Sequence, residues 1–194
     1  RIVLPMLGDE LYLSPIDDVL VRLQTSATDG LGVELFQSRI DEYGPNKVPE
    51  PLSCPQWLCC LLPWLKNTAS MKAYRRIVAE SAFTVRQGSV LEIDARSLVP
   101  GDVIILERHH WVPADVRLIS CSDDLMIDGS PIGSQIVQQP QPQLESCVAY
   151  LGSLVLSGSA RAVVTHTGPR TRLGQMIAAG QFPPREPTEL QPMT

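Results

Sequence analysis

The chain has 194 residues, 44% of them hydrophobic and 19% charged, enough apolar material for a sizeable core without disulfide staples. That composition excludes wholesale disorder, a coiled coil and a polytopic membrane protein. A formal charge of -5 excludes a generally basic surface, so no nucleic-acid partner is expected and any phosphate contact must be local.

The first readable element is Ser14-Pro15-Ile16-Asp17-Asp18-Val19-Leu20-Val21-Arg22-Leu23. Ser14 suits a cap, Pro15 the first helical position, and the two aspartates the positive end of a helix. A second helix is predicted over residues 33–43, with Val33, Phe36, Ile40 and Tyr43 on one face and Gly44-Pro45 as its stop. Pro49, Pro51 and Pro55 then read as an extended connector. Trp57-Leu58-Cys59-Cys60-Leu61-Leu62-Pro63-Trp64-Leu65 is the most apolar run, far short of the roughly 20 residues a spanning helix needs. No secretory signal pattern is present, and the run is expected to pack on the domain rather than enter a membrane.

From Ser70, Met71, Tyr74, Ile77 and Val78 recur at helical spacing, with Lys72, Arg75 and Arg76 on the other side. Beyond Ala82 the pattern changes to short β-rich runs at 83–86, 90–93, 103–106, 116–119, 125–127, 154–156 and 160–165. These predict an α+β fold: a distorted jelly-roll or barrel-like sheet with flanking short helices and a small N-terminal helical unit. A last helix is predicted over residues 171–179, capped by Thr171 and ended by Gly180, and the Pro-rich residues 181–194 are expected to be mobile. Cys54, Cys59, Cys60, Cys121 and Cys147 show no zinc-site spacing and read as reduced thiols.

The turns of the β-rich part carry an ordered set of motifs. Val85-Arg86-Gln87-Gly88 comes first, then Leu98-Val99-Pro100-Gly101-Asp102-Val103, then Val112-Pro113-Ala114-Asp115-Val116-Arg117. The set closes on Val163-Val164-Thr165-His166-Thr167-Gly168-Pro169-Arg170-Thr171-Arg172-Leu173-Gly174. In order and spacing this resembles the actuator domain of P-type ATPases, type II cation pumps in particular, with the sodium/potassium and proton/potassium subgroup favoured by general similarity. The N-terminal unit resembles the cation-pump N-terminus, in which a Gly-Leu pair, here Gly30-Leu31, precedes a helix ending in Tyr43-Gly44-Pro45-Asn46. By their own chemistry Pro100, Gly101, Asp102, Pro113, Ala114 and Asp115 are turn formers that launch strands, and both aspartates read as turn caps. Thr167 and Gly168 match a structural turn of the family's closing pattern.

The departures are equally legible. The resemblance implies a Thr-Gly-Glu-Ser loop whose glutamate positions the water that attacks an aspartyl-phosphate on another domain. Here Gly133, Ser134 and Gln135 stand at the Thr, Gly and Glu positions, and sliding by one residue places Ser134 at the acidic one. Neither register supplies a carboxylate, so the dephosphorylating role is expected to be lost or badly weakened, and residues 129–135 read as a flexible surface loop. His109-His110-Trp111 replaces a Gly-Asp turn; adjacent histidines on a hairpin point apart, so even with Asp115 near by no metal site is expected, only an exposed loop. Only residues 58–71 separate Trp57 from Lys72, where the family places two membrane helices needing about 40 residues.

The chain therefore divides into an N-terminal segment (1–48), a connector replacing a membrane hairpin (49–69), an actuator domain (70–180) and a tail (181–194). The resemblance implies a fragment or diverged relative of an ATP-driven cation pump, with no catalytic activity on its own. ATP and magnesium belong to the intact family, not to this chain, and the implied partners are the phosphorylation and nucleotide-binding domains. The implied location is the cytoplasmic face of a membrane within a pump, or the cytoplasm for the isolated chain. The alternative is a non-enzymatic binding module that keeps the actuator shell and uses an exposed Trp111 as its anchor.

Overall fold

The computed structural model describes residues 11, 14–51, 68–134, 136–138 and 147–184. Helix α1 (Ile16–Arg22) begins one residue later than its sequence suggests. Pro15 has an extended ψ of 147° and occupies the cap position, where its carbonyl accepts the Val19 amide at 3.1 Å. Ser14 thus stands outside the helix, and its carbonyl accepts from Arg117 Nη2 at 3.4 Å instead. Helix α2 (Val33–Tyr43) ends as expected at Gly44, whose φ is 72°. Its predicted inner face is only partly covered: Phe36 and Ile40 are half-buried, and Val33 is 57% exposed. Thr68 accepts the Met71 amide and starts α3 (Ala69–Ile77), which buries Met71 and Ile77.

The strands are β1 (Ser81–Arg86), β2 (Ser89–Asp94), β3 (Val103–Glu107), β4 (Asp115–Cys121), β5 (Met126–Asp128), β6 (Val137–Gln138), β7 (Val148–Ala149), β8 (Leu154–Ser157) and β9 (Ser159–His166). They pair antiparallel in a six-stranded sheet, ordered β2-β1-β3-β9-β4-β7, and a three-stranded sheet, ordered β6-β5-β8. The α+β class is as the sequence indicated. The two-residue strands β6 and β7 are too short to show alternation in the sequence.

Ile104, Leu106, Val116, Leu118, Ala160, Ala162 and Val164 of the large sheet meet Ile127 and Val155 of the small one in the main core. On the large sheet's opposite face, register places Val85, Val103, Val163 and Arg117 in one row, all buried. The N-terminal unit is tied to that side: Gly30 and Leu31 bridge to Arg86, and Arg161 donates to the Ala27 carbonyl at 2.9 Å. A second cluster joins Val48, Ile77, Ile132, Leu151, Leu173 and Phe182. Helix α4 (Arg172–Ala178) is capped by Thr171 and followed by Gly180 at φ 67°, as the sequence indicated.

Residues 181–184 differ from the expected mobile tail. The Gln181 amide donates to the Met176 carbonyl at 2.8 Å, and Phe182 is buried in the second cluster. An aromatic ring one turn beyond the helix can close over the core, which outweighs the loop-forming effect of the adjacent prolines. The rest of that tail and the Trp57–Trp64 part of the connector lie outside the described residues.

Candidate functional site

The signature turns converge on buried carboxylates and one buried amide. Asp102 is fully buried; its carboxylate accepts the Val99 amide at 3.0 Å, closing the Pro100-Gly101 turn. The same carboxylate takes both Nε and Nη2 of Arg86, at 2.9 and 2.7 Å. The Arg86 guanidinium lies 3.9 Å from the centroid of the Phe36 ring, so α2, β1 and the turn share one cation. Arg39 of α2 donates to the carbonyls of Pro100 and Leu23. Burial pulls the Arg39 guanidinium below its ordinary pKa, against Tyr43, Asp102 and Glu42, which act the other way. Gly101 has φ 95°, a backbone conformation that favours glycine, and the Arg39 guanidinium lies where a Cβ would sit.

Asp115 is also fully buried, but the hydrogen bonds its carboxylate accepts reach across the fold: the Leu151 amide at 2.8 Å and the Arg172 amide, at the start of α4, at 2.7 Å. A role confined to its own turn, as the Pro113-Ala114-Asp115 pattern suggests, is therefore too narrow. The close of the pattern has a similar logic. Thr171 Oγ1 donates to the Gly168 carbonyl at 2.7 Å and accepts the Gly174 amide at 3.1 Å. A Cβ on Gly174 would lie 2.7 Å from the Pro169 carbonyl, which accounts for glycine in the first turn of α4.

Asn46 binds these parts together. Its Nδ2 donates to the carbonyls of Ala95 and Pro113 at 3.0 and 2.9 Å, and its Oδ1 accepts the Gly168 amide at 2.8 Å. One side chain of the N-terminal segment thus joins the end of β2, the turn before β4 and the Thr167-Gly168 turn. Arg170, 4.8 Å from the centroid of the Tyr43 ring, lies against the same segment. The Tyr74 hydroxyl donates to the Val48 carbonyl at 2.7 Å, and burial pushes its pKa up. Asn46 and Arg86 stand within sequence motifs that assign them no partner, and Arg39 stands in none. An Asn in a Gly-Pro-Asn turn looks like a local turn former, and its long-range acceptors become visible only when the strands assemble.

The loop at 129–134 is more ordered than its composition implies. Ser130–Ile132 form one 3-10 turn, the Ser130 amide donates to Asp128 Oδ1 at 2.9 Å, and the Ser134 amide folds back to the Gly129 carbonyl at 2.9 Å. Ile132 is fully buried in the second cluster, so the expectation of a flexible surface loop is corrected: an apolar anchor holds it. Gly133 is left-handed at φ 67°, with Pro184 close to where a Cβ would sit. Gln135 lies outside the described residues.

The His109-His110-Trp111 turn keeps its tight geometry in spite of its bulk. His109 is exposed and adopts φ 70°, while the His110 ring stacks on Phe83 at 5.7 Å and 21°. Trp111 is half-buried against the second cluster and bridges to Leu154, so it is not the exposed anchor expected of a binding module. Packing of the indole there conserves more apolar burial than exposure would. Among the described residues no three His, Cys, Asp or Glu side chains converge to hold a metal ion, His109, His110 and Asp115 included. No helix among them is long and apolar enough to cross a membrane.

Comparison with known proteins reads these same segments. Residues 76–181 match the family model of the P-type ATPase actuator domain, and residues 11–65 match that of the cation transporter/ATPase N-terminus. The chain belongs to the P-type ATPases. Among its relatives, the sodium/potassium exporting P-type ATPase of Schizosaccharomyces pombe is 25% identical over 90% of this chain and 22% of its own length. The human calcium-transporting ATPase type 2C member 1 is 32% identical over 65% of this chain and 15% of its own. Plasma membrane ATPase 1 of Candida albicans is 36% identical over 54% and 11%. The chain thus spans about a fifth or less of the length of these P-type ATPases. The two matched segments of this P-type ATPase chain are separated only by residues 66–75, fewer than the ~20 that one spanning helix requires. The Asn46 hydrogen bonds cross from the first matched segment to the second.

Proposed function

We propose that this chain is the lever of a P-type cation pump whose contribution to phosphoenzyme hydrolysis has been lost. In such a pump, ATP-driven ion transport across a membrane is the activity of the whole, and ATP and magnesium act at the phosphorylation and nucleotide-binding domains, not at this chain. The chain's part is to turn as a rigid unit against those domains, so that phosphorylation state is coupled to the ion path. The observation that carries the reading is the Asn46 amide, which makes the N-terminal segment and the signature turns one body. With Phe182 buried and Pro184 close to Gly133, a hinge on the C-terminal side cannot begin before Pro184. Association with a membrane and docking on the phosphorylation domain both come through the parent pump.

The absence of a carboxylate at Gly133, Ser134 and Gln135 supports loss of the hydrolytic role. An amide can hydrogen-bond a water but does not take its proton, and removal of a general base slows such a step by about 10²-fold or more. The test grafts residues 129–138 of this chain into the corresponding loop of a complete cation pump and follows phosphoenzyme decay. Decay should slow by about 10²-fold while phosphoenzyme still forms, and a graft restoring the Thr-Gly-Glu-Ser loop should recover the rate. An undiminished rate with the grafted loop would overturn the reading.

A further inference from the structure

Beside the turn at His109-His110-Trp111, where β1 begins and β3 ends, lies a cleft of about 340 Å³ whose lining residues, Pro113 apart, belong neither to the signature turns nor to the 129–134 loop. Its wall is aromatic: Phe83 with the His110 ring stacked on it, and Trp111. Glu80 and Glu92, both exposed, are its acidic residues, and no lysine or arginine lines it. Phe83 and Glu92 are direct cross-strand partners, which places their side chains on one face of the sheet. Among the described residues neither glutamate has an ion-pair partner.

The same chemistry occurs within the fold with its cation in place. At Arg86 a guanidinium lies over the Phe36 ring and is gripped by the Asp102 carboxylate; Arg172 stacks over Tyr150 and Arg170 over Tyr43. The cleft offers an aromatic surface and two carboxylates without an arginine. A volume of about 340 Å³ is at the small end of ligand sites, sized for one side chain or a small headgroup rather than a nucleotide cofactor. Arginine fits better than lysine, because its planar fork can stack on a ring while donating two parallel hydrogen bonds to a carboxylate.

We propose that the cleft between Glu80, Glu92, Phe83 and Trp111 is a docking site for an arginine side chain presented by a partner polypeptide. The site does not depend on the hydrolytic loop, so it stands apart from the reading of the chain as a pump lever.

The test uses the full chain with Trp57→Phe and Trp64→Phe, which leaves Trp111 as the sole indole of the three. The probe is an acetylated tetra-arginine amide, with tetra-lysine as the comparison. Trp111 emission should shift saturably with tetra-arginine, and more weakly with tetra-lysine. Glu80→Gln with Glu92→Gln should weaken binding about fivefold or more, as two exposed ion pairs imply. Asp123→Asn with Asp124→Asn removes the same charge elsewhere on the surface and should leave the affinity unchanged; unaltered thermal melting verifies that both double variants fold. A missing emission shift overturns the proposal, as does equal weakening by the two double variants, which would mean attraction to the overall negative charge alone.

Discussion

Two kinds of turn hold this molecule, and they differ in what fixes them. At Pro100-Gly101-Asp102 and at Thr167-Gly168 the backbone is fastened by polar side chains of distant segments: the half-buried Arg86 and Arg39 at the first, the buried Asn46 at the second. At His109-His110-Trp111 and at 129–134 the fastening is mainly backbone hydrogen bonding, to Val155 of β8 at the first and within the turn, with the adjacent Asp128 carboxylate, at the second, and one apolar or aromatic side chain, Trp111 or Ile132, is set into the second cluster. Turns of the first kind cannot change residue type without orphaning a buried polar partner. Those of the second kind tolerate new residues provided the apolar anchor stays, and it is there that the sequence differs from the pattern its resemblance implies.

That contrast breaks most visibly at Asp102. Removing one member of a buried, hydrogen-bonded ion pair leaves the other uncompensated, and typically costs about 3 to 5 kcal/mol. Asp102→Ala should therefore lower stability by about 4 kcal/mol in urea unfolding, by releasing Arg86 and the Val99 amide together. Adding Arg86→Met to that variant should cost less than Arg86→Met in the native background, since the unpaired guanidinium is then gone. Strictly additive losses would show that the pair is not the holding element.

Asn46→Ala comes next. It orphans the Gly168 amide and the Pro113 carbonyl and leaves the Ala95 carbonyl with only the Leu98 amide, and the expected loss is about 3 kcal/mol, at roughly 1 kcal/mol for each hydrogen bond. Its location is more telling than its size. Amide exchange should accelerate at Gly168 and in the N-terminal unit together, because the two are joined there, and acceleration confined to residues 44–48 would contradict the claim of one rigid body.

How far each region could be read from sequence follows the same division. Period-2 alternation and turn chemistry are local, so β1 to β5, β8, β9 and the caps at Thr171 and Gly180 are legible in the residues alone. That Gly133, Ser134 and Gln135 include no carboxylate is legible for the same reason, since it needs no coordinates. What Asp115 and Asn46 grip lies 36 to 122 residues away along the chain, and no local pattern encodes it. Likewise Ile132 in a Gly-Ser-Pro loop and Phe182 before two prolines look like surface residues until the second cluster forms around them.

The smallest effect sharpens the contrast from the other side. His109 holds φ 70°, a conformation that costs a residue with a Cβ about 1 to 2 kcal/mol. Glycine would relieve that strain, but its greater freedom in the unfolded chain returns about 0.5 to 1 kcal/mol. The difference leaves His109→Gly more stable by about 0.5 to 1 kcal/mol, or roughly 2 °C in melting temperature for a chain of this size. His110 and Trp111 remain in place in that variant, so the stack on Phe83 and the packing on the second cluster are untouched. A gain on melting would mean that a turn fastened by its neighbour's indole tolerates a strained residue for reasons other than stability. A loss would mean that the exposed His109 side chain contributes more than its backbone strain costs, and the turn would then belong with those fixed by specific side chains.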